Sequence, residues 1–380
     1  MLFVGAISAC LVIQARGQEA TTLVERIQPY VDREELAGAV MLVANRESIL
    51  VNEAVGWADR ETKRPMSVDS MFWIASQSKP MTAAALMLLV DEGRLSLDDP
   101  VEKYLPEFRG QFVVRRRDEN QVVLERPAHP ITIREVLSHT SGLPFRSALE
   151  VPTLDRFSLE ARVRSYAMTP LDFEPSTAYQ YSNAGINTAA RIIEVVAGES
   201  YESFMQSRLF DPLGMQDTTF WPEGERLARV ATAYRATEAG ADSPLEPLEI
   251  EQLHYPLDDR SVRTPMPAGG LFSTARDVLA FYQMLLNDGR IGDRQLLSED
   301  AVRELTRRQT PDDVTTSYGL GFMVNRSMFG HGGAYSTQST ADRESGLILI
   351  WLVQHASFPG EGAQAQTEFR RTAQGLFTPK

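Results

Sequence analysis

The chain contains very little cysteine and very little lysine. Cys10 is the only cysteine among 380 residues, so no disulfide can form within the chain. The 38 basic residues include only four lysines: Lys63, Lys79, Lys103 and Lys380. Arginine keeps its proton at any working pH, whereas a partly buried lysine can lose it. A lysine beside an apolar run of this sequence is therefore a candidate proton acceptor.

Several common kinds of site have no motif in this sequence. It contains no G-x-S-x-G elbow, no H-E-x-x-H, no C-x-x-C and no phosphate-binding G-x-x-x-x-G-K-[ST] loop. Its five histidines do not have the spacing of metal ligands. The net charge of −13 argues against nucleic acid or an anionic membrane surface as the main partner. No apolar run reaches the ~18 residues of a membrane span.

The first residues favour export from the cytoplasm. An apolar block over residues 2–13 is followed by small and polar residues that end at Gly17, a pattern typical of a cleaved signal. We therefore predict a signal segment over residues 1–17 and a periplasmic or secreted protein. Residues 7–10 also resemble a lipoprotein cleavage box, which would attach a lipid through Cys10. The alternative is an ordinary N-terminal helix.

Ser76 and Lys79 form the most informative motif. They lie three residues apart, between an apolar approach and an almost continuously apolar run over residues 83–90. That run predicts a buried helix, and Pro80 suits its first turn. Ser76 would lie at the helix N-terminus, where free N–H groups favour a developing anion, and Lys79 would share its face. The alternative is a chance pair, since S-x-x-K alone is a weak signal.

Tyr181 and Asn183 are candidates for a second part of the same site, on a loop before a helix. Tyrosine is a poor base at its usual pKa of about 10. We expect the Lys79 ammonium to lower the pKa of Tyr181, which would then take the Ser76 proton and return it to a leaving group. The alternative is a packed tyrosine beside a helix-capping Asn183.

A glycine-rich segment around His331 is the third candidate. Glycines at a strand end permit the close approach of another backbone or of a ligand. A main-chain N–H here, together with that of Ser76, would form an oxyanion hole. The alternative is a turn with an incidental histidine. A Ser-His-Asp triad that uses His331 or His139 also stays open.

Strand patterns lie at both ends of the chain and helix patterns lie between them. We predict a hairpin from residues 37–44 and 49–57, helices over 183–197, 201–210, 273–286 (capped by Ser273) and 298–308, and strands over 318–324, 336–341 and 346–353. The fold class is α+β, with an antiparallel sheet built from both termini and flanked by helices. Residues 18–100 and 268–380 form the sheet domain, and residues 101–267 form an inserted, mostly helical domain.

Three short motifs occur in order along the chain: Ser76-x-x-Lys79, Tyr181-x-Asn183 and His331-x-Gly333. Together they resemble the serine β-lactamase and penicillin-binding superfamily, in particular the class C β-lactamase branch that includes family VIII carboxylesterases. Residues 139–143 and 269–275 are also similar, and the resemblance extends from about residue 28 to residue 353. It implies the β-lactamase/transpeptidase-like fold.

The resemblance also implies roles and a reaction. Ser76 would attack an ester or amide carbonyl and become acylated, and Lys79 and Tyr181 would move the proton. The N–H groups of Ser76 and Ala334 would hold the oxyanion, and Asn183 would orient the substrate or Lys79. Gly333 would belong to the same substrate-binding segment. No metal or organic cofactor is implied, and the expected partner is a small ester or amide.

One residue departs from the pattern of class C β-lactamases, which have lysine where this chain has His331. An imidazole attracts a substrate carboxylate less than an ammonium does. We therefore expect a carboxylesterase that acts on small acyl esters. The alternatives are a D-aminopeptidase or DD-peptidase, a β-lactamase, and a sensor that penicillin acylates without turnover.

Overall fold

The computed structural model describes residues 22–238 and 241–378. The predicted signal segment and Cys10 lie outside these residues, so export and lipid attachment stay predictions. Among the helices of the described ranges, none combines the length and the apolar character that crossing a membrane requires.

The main sheet is antiparallel and mixes strands from both ends of the chain. In the described residues it has seven strands in the order β12-β13-β14-β15-β1-β2-β3. The sheet strands are β1 (Gly38–Ala44), β2 (Ile49–Asp59), β3 (Arg64–Pro65), β12 (Met323–Asn325), β13 (Met328–Gly332), β14 (Gln338–Asp342) and β15 (Ile348–Leu352). Strand β15 pairs with β1, with Val40 opposite Leu352. This pairing confirms the prediction that strands from both ends of the chain form one antiparallel sheet.

The remaining strands form short two-stranded pairs. They are β4 (Phe72–Trp73) with β9 (Phe272–Ser273), β5 (Val113–Arg117) with β6 (Val122–Glu125), β7 (Ala233–Ala236) with β8 (Leu245–Leu248), and β10 (Arg290–Ile291) with β11 (Arg294–Gln295). The β4–β9 pair matters most for the site, because β4 leads directly into the segment that contains Ser76.

Helices cover the sheet and fill the middle of the chain. They are α1 (Leu23–Asp32), α2 (Ser78–Asp91), α3 (Ile133–Ser138), α4 (Leu159–Ala167), α5 (Asn183–Ala197), α6 (Tyr201–Met205), α7 (Asp211–Leu213), α8 (Glu225–Arg229), α9 (Ala275–Leu286), α10 (Glu299–Thr306) and α11 (Gln364–Phe377). Residues 101–267 combine helices α3–α8 with the β5–β6 and β7–β8 pairs and with irregular segments, and helix covers fewer than half of them. The division into a sheet domain and an inserted domain stays a prediction.

The sheet separates two apolar layers. Along β1 every residue is buried, and alternate side chains point to opposite faces. Met41 packs with Trp351 of β15 and Phe369 of α11 on one face, where α1 also lies. Val40 packs on the other face with the apolar residues of α2 and α9. Burial on both faces explains why β1 is a continuous apolar run rather than an alternating one.

Helix α2 lies inside the molecule. Its residues from Ser78 to Leu89 are all buried, and it packs against α5 and α10. A helix that is apolar on all sides belongs in a core, so the predicted burial of this helix is confirmed. Lys79 is carried into the interior by this helix.

Some sequence-based predictions were wrong in detail. Thr274 rather than Ser273 caps α9, because its side chain accepts a hydrogen bond from the Asp277 N–H. His331 lies near the end of strand β13, for which no range was predicted, and the next strand begins at Gln338 instead of residue 336. In the predicted strand over 318–324 only the last two residues belong to β12.

Candidate active site

Ser76 lies in a turn of 3-10 helix, Ala75–Gln77, that leads directly into α2. Ala75 has a φ of 46°, in the left-handed region that residues other than glycine rarely adopt. Such strain is kept only where the surrounding structure fixes it, and it often accompanies functional positions. Ser76 itself is partly exposed, whereas Ala75 and Gln77 are buried. Its hydroxyl is thus open to a ligand.

Lys79 is fully buried one turn after Ser76. Its Nζ lies 3.0 Å from Ser76 Oγ, in hydrogen-bond contact, and donates to the carbonyl of Ala268 at 2.7 Å. Burial lowers the pKa of Lys79 well below its usual range, because the charged form loses its hydration. The neutral amine that this favours has a lone pair available for the Ser76 proton.

Tyr181 lies on the other side of the lysine, just before α5. The Lys79 Nζ is 4.6 Å from the centre of its ring. The three predicted side chains are therefore together. Burial raises the pKa of Tyr181, while a hydrogen bond with Ser76 acts in the opposite direction. The expectation that a Lys79 ammonium lowers the tyrosine pKa was wrong, since burial disfavours both the ammonium and the phenolate.

Asn183 is the first residue of α5 and is almost fully buried. Its backbone N–H donates to the carbonyl of Phe145 at 3.0 Å. Its side-chain Oδ1 is buried and accepts no hydrogen bond from the described residues. A buried acceptor without a partner is costly in a folded protein.

His331 is buried, and hydrogen bonds hold both of its ring nitrogens. Nδ1 is 2.6 Å from the carbonyl of Gly332, which can only accept, so Nδ1 carries the proton. The hydroxyl of Tyr318 therefore donates to Nε2, at 3.0 Å. Burial and then the nearby Lys79 lower the pKa of His331 to about 3. The imidazole is neutral over the usual working range.

Gly333 brings the end of β13 against the turn that holds Ser76. A Cβ added there would lie 2.6 Å from the carbonyl oxygen of Ile74 and 2.2 Å from Thr337 Oγ1. The predicted close approach is thus to a backbone. Ala334 follows and is exposed. Within residues 22–238 and 241–378, neither the Ser76 N–H nor the Ala334 N–H donates a hydrogen bond to the protein, so both are free to bind an oxyanion.

The sequence reasoning gave no role to Tyr318 and considered His139 only as a possible member of a Ser-His-Asp triad. His139 ends α3 with a φ of 62°, and its Nδ1 accepts from the N–H of Ser182, next to Tyr181. Its ring lies 4.7 Å from the Tyr181 ring. His139 belongs to a segment that the resemblance singled out, but no sequence signal indicated Tyr318.

The geometry does not support a triad with a histidine base. His331 bonds through Nε2 to Tyr318 and through Nδ1 to a backbone carbonyl, and the Nδ1 of His139 is used by Ser182. The side chains in hydrogen-bond contact with Ser76 are those of Lys79 and Tyr181. Among the described residues there is also no cluster of three or more histidine, cysteine or acidic residues that would hold a metal ion.

Comparison with known proteins connects this geometry with one family. The family model described as Beta-lactamase matches residues 23–373. Protein Rv1367c of Mycobacterium tuberculosis (strain ATCC 25618 / H37Rv) is 32% identical over 360 residues, which span 84% of this chain and 86% of the relative. Esterase EstB of Burkholderia gladioli is 34% identical over 227 residues, 55% of each chain.

A solved structure supports the same comparison. The structure described as EstCE1, a hydrolase with promiscuous acyltransferase activity, superimposes with a TM-score of 0.75 at 25% identity. The match covers 92% of this chain and 98% of that one. The similarity thus extends over the sheet and the helical middle together.

Proposed function

The chain belongs to the beta-lactamase family of serine hydrolases, and from this membership we propose that it is a carboxylesterase for small acyl esters. In the proposed reaction Ser76 is the nucleophile and Lys79 with Tyr181 is the proton-transfer pair. The observation that carries the choice of substrate is the burial of His331, which together with the nearby Lys79 lowers its pKa to about 3 and leaves the imidazole neutral. A substrate carboxylate, as in β-lactams and D-alanyl peptides, would find no cation there.

The proposed acylation begins with the neutral amine of Lys79. As Ser76 Oγ bonds to the ester carbonyl carbon, its proton moves to Lys79 Nζ, 3.0 Å away. The carbonyl oxygen becomes an oxyanion that the N–H groups of Ser76 and Ala334 bind. The new ammonium lies over the Tyr181 ring, where a cation–π contact stabilises it.

The leaving alcohol then takes a proton. Because burial raises the pKa of Tyr181, this residue is a neutral phenol that can donate its O–H as the carbon–oxygen bond to the alcohol breaks. Lys79 returns a proton to Tyr181, which restores both groups. In the second half, water bonds to the acyl carbon and gives up a proton by the reverse route. Ser76 then leaves as a hydroxyl and the carboxylic acid is released.

The surroundings of Ser76 favour an apolar acyl group. Phe145 is 42% exposed although it is large and apolar, and its ring stacks on Tyr181 with ring centres 6.3 Å apart. An exposed aromatic beside reactive groups is typical of a substrate-binding wall. This arrangement supports a site that accepts an uncharged acyl chain.

The test is hydrolysis of p-nitrophenyl acetate and butyrate by the protein and by Ser76→Ala. We expect the variant to lose activity to the uncatalysed rate while its circular dichroism and unfolding midpoint stay close to those of the wild type. A fluorophosphonate should add to Ser76 in the wild type only, as seen by mass spectrometry of peptides. Ester hydrolysis that survives Ser76→Ala would contradict the proposal.

One observation favours amide substrates as the second candidate. Oδ1 of Asn183 has no partner among the described residues, and rotation of this enclosed side chain toward Ser76 would let it accept a hydrogen bond from a substrate amide N–H. A D-alanine anilide and nitrocefin assayed beside the esters would separate a D-aminopeptidase and a β-lactamase from an esterase. A stable penicillin adduct without released product would instead indicate a sensor. Export to the periplasm or the medium is proposed on the predicted signal segment alone.

A further inference from the structure

A chain of buried hydrogen bonds leads from Lys79 into the helical middle of the molecule, through Asn187. This asparagine lies on α5 and is fully buried. Its Oδ1 accepts a hydrogen bond from the N–H of Ala268 at 3.2 Å. The carbonyl of the same Ala268 accepts from Lys79 Nζ at 2.7 Å. One residue, Ala268, thus connects the asparagine with the amine.

The orientation of the Asn187 amide is fixed from its other end. Nδ2 is 2.9 Å from the hydroxyl of Tyr166 and 3.3 Å from Oε1 of Glu150. The Tyr166 hydroxyl donates to that same carboxylate oxygen at 2.6 Å, so the oxygens on this side need a donor. The NH₂ group of Asn187 supplies one within hydrogen-bond distance, whereas the Arg162 guanidinium is 4.0 Å from the same Oε1. All three side chains are fully buried, and Oδ1 must therefore face Ala268.

Ala268 belongs to a segment, residues 265–271, that neighbouring side chains hold at several points. Thr82 donates to the carbonyl of Pro267 at 3.0 Å, and the indole of Trp73 donates to the carbonyl of Gly269 at 2.6 Å. These bonds fix carbonyl groups on either side of Ala268. In the described part of the chain, the Ala268 N–H has Asn187 as its partner and bonds to no backbone carbonyl.

We propose that Asn187 is a positioning residue for acyl transfer at Ser76: it fixes Ala268 so that the Ala268 carbonyl binds one N–H of Lys79 and the lone pair of the amine faces the serine hydroxyl. The inference rests on the proposed roles of Ser76 and Lys79. It adds a residue that contacts neither substrate nor nucleophile.

Removal of the amide has a direct consequence for Lys79. A buried N–H without a partner is costly, so the Ala268 backbone will rotate to find another acceptor. The carbonyl then leaves Lys79 Nζ, and the amine is free to turn away from Ser76. Small displacements of reacting groups reduce rates strongly, by about a hundredfold for about 1 Å. The rate of Ser76 acylation should fall.

The same change should move the pH profile. A carbonyl stabilises an ammonium more than it stabilises an amine, so loss of the Ala268 carbonyl lowers the pKa of Lys79 further. The titratable groups that face Lys79 are Tyr181, His139 and His331. Burial raises the tyrosine pKa and lowers both histidine pKa values, so these groups stay neutral across the range of the assay. The acid limb of the profile therefore reports the titration of Lys79, and removal of the Asn187 amide should shift this limb to lower pH.

The experiment compares Asn187→Leu and Asn187→Ala with Thr188→Val. Thr188 is the next residue on α5, equally buried, and its hydroxyl donates to the Ala184 carbonyl of the same helix. Thr188→Val is thus the control for loss of a buried polar group on α5. The readout is the rate constant for fluorophosphonate addition to Ser76 between pH 5 and pH 9, together with ester hydrolysis over the same range.

In Asn187→Leu and Asn187→Ala, the rate constant for labelling of Ser76 should fall about tenfold to a hundredfold. The acid limb of the pH profile should lie at lower pH than in the wild type. Thr188→Val should keep the rate of labelling and the acid limb of the wild type. The inference would be overturned if Asn187→Leu or Asn187→Ala were labelled at the same rate as Thr188→Val and showed the same acid limb of the pH profile. A wild-type protein that is not labelled at Ser76 would reject the proposed function, and with it this inference.

Discussion

Lys79 is a buried amine on a core helix, and its position has a stability cost as well as a catalytic use. Among the ion pairs of the described residues none includes Lys79, and its polar contacts are Ser76 and the Ala268 carbonyl. Replacement by an apolar side chain of similar length removes the desolvation cost. Strained or desolvated functional groups of this kind trade stability for activity.

We predict that Lys79→Met abolishes ester hydrolysis and raises the free energy of unfolding near pH 6.5 by about 1–3 kcal/mol. The folded pKa of Lys79 lies below its unfolded value, so between the two values the unfolded chain binds more protons. The wild type therefore gains stability as pH rises through this window. The advantage of Lys79→Met should shrink by pH 9. Urea unfolding at both pH values checks this.

Lys103 supplies the matched control for that measurement. Its side chain is 53% exposed and pairs with Asp99 at 2.8 Å. An exposed pair contributes little to stability, so Lys103→Met should give no gain at either pH. If Lys79→Met and Lys103→Met raised the free energy of unfolding equally, the burial of Lys79 would not be the cause of the increase.

At the scale of single residues, the sequence identified which groups meet and misjudged their charge states. Ser76, Lys79 and Tyr181 lie together as predicted from the motifs. The direction of the Tyr181 pKa was wrong, because a motif gives residue types and spacing but not burial. Burial is the largest influence on the pKa of both Lys79 and Tyr181.

Strand β13 and the turn before α2 form the two sides of the proposed oxyanion hole, and Gly333 sets their separation. We predict that Gly333→Ala lowers kcat of ester hydrolysis by about a hundredfold or more while the protein still folds. The added Cβ would meet the Ile74 carbonyl and Thr337 Oγ1 at 2.6 and 2.2 Å. Neither is the end of a long flexible side chain, so the strand must shift. Steady-state kinetics measures the effect.

Gly332, the last residue of β13 and the neighbour of Gly333, is the matched control. A Cβ there would meet Gln338 Oε1 at 2.9 Å, the end of a side chain that can move. Gly332→Ala should therefore keep kcat within a few-fold of the wild type. Equal losses in both variants would contradict a specific role for the Gly333 contact.

At the scale of elements, the strongly patterned segments were predicted well. Helix α5 spans Asn183–Ala197, the predicted range, because it has an N-cap in Ser182 and a C-cap in Gly198. Helix α11 was not predicted. Its buried residues are Ala365, Phe369 and Ala373, a single narrow stripe with two alanines. So little apolar surface gives a weak periodic signal.

The whole molecule depends on contact between the two ends of the chain. We predict that a fragment of residues 22–270 does not fold cooperatively. It lacks β13, β14 and β15, so β1 loses its partner along one edge, and the two apolar faces that α9 and α11 cover become exposed. Urea titration followed by tryptophan fluorescence should show no sigmoidal transition.

The β5–β6 hairpin provides the control deletion. Its strands are largely exposed, with Val122 48% and Leu124 39% exposed. Replacement of residues 115–123 by a short Gly-Ser turn should leave a cooperative transition. A sigmoidal transition in the 22–270 fragment would show instead that the N-terminal strands fold without the C-terminal ones.

The sequence by itself determined the family, the α+β class, the sheet of both termini and the three motifs of the site. These depend on local patterns: apolar periodicity, caps, glycines and the spacing of reactive residues. Tertiary structure alone decided that Lys79 is bonded to Ala268, that Ala268 is held by Asn187, and that Tyr318 donates to Nε2 of His331. Each of these contacts joins residues far apart in the chain, and the charge state of a buried group depends on everything that surrounds it.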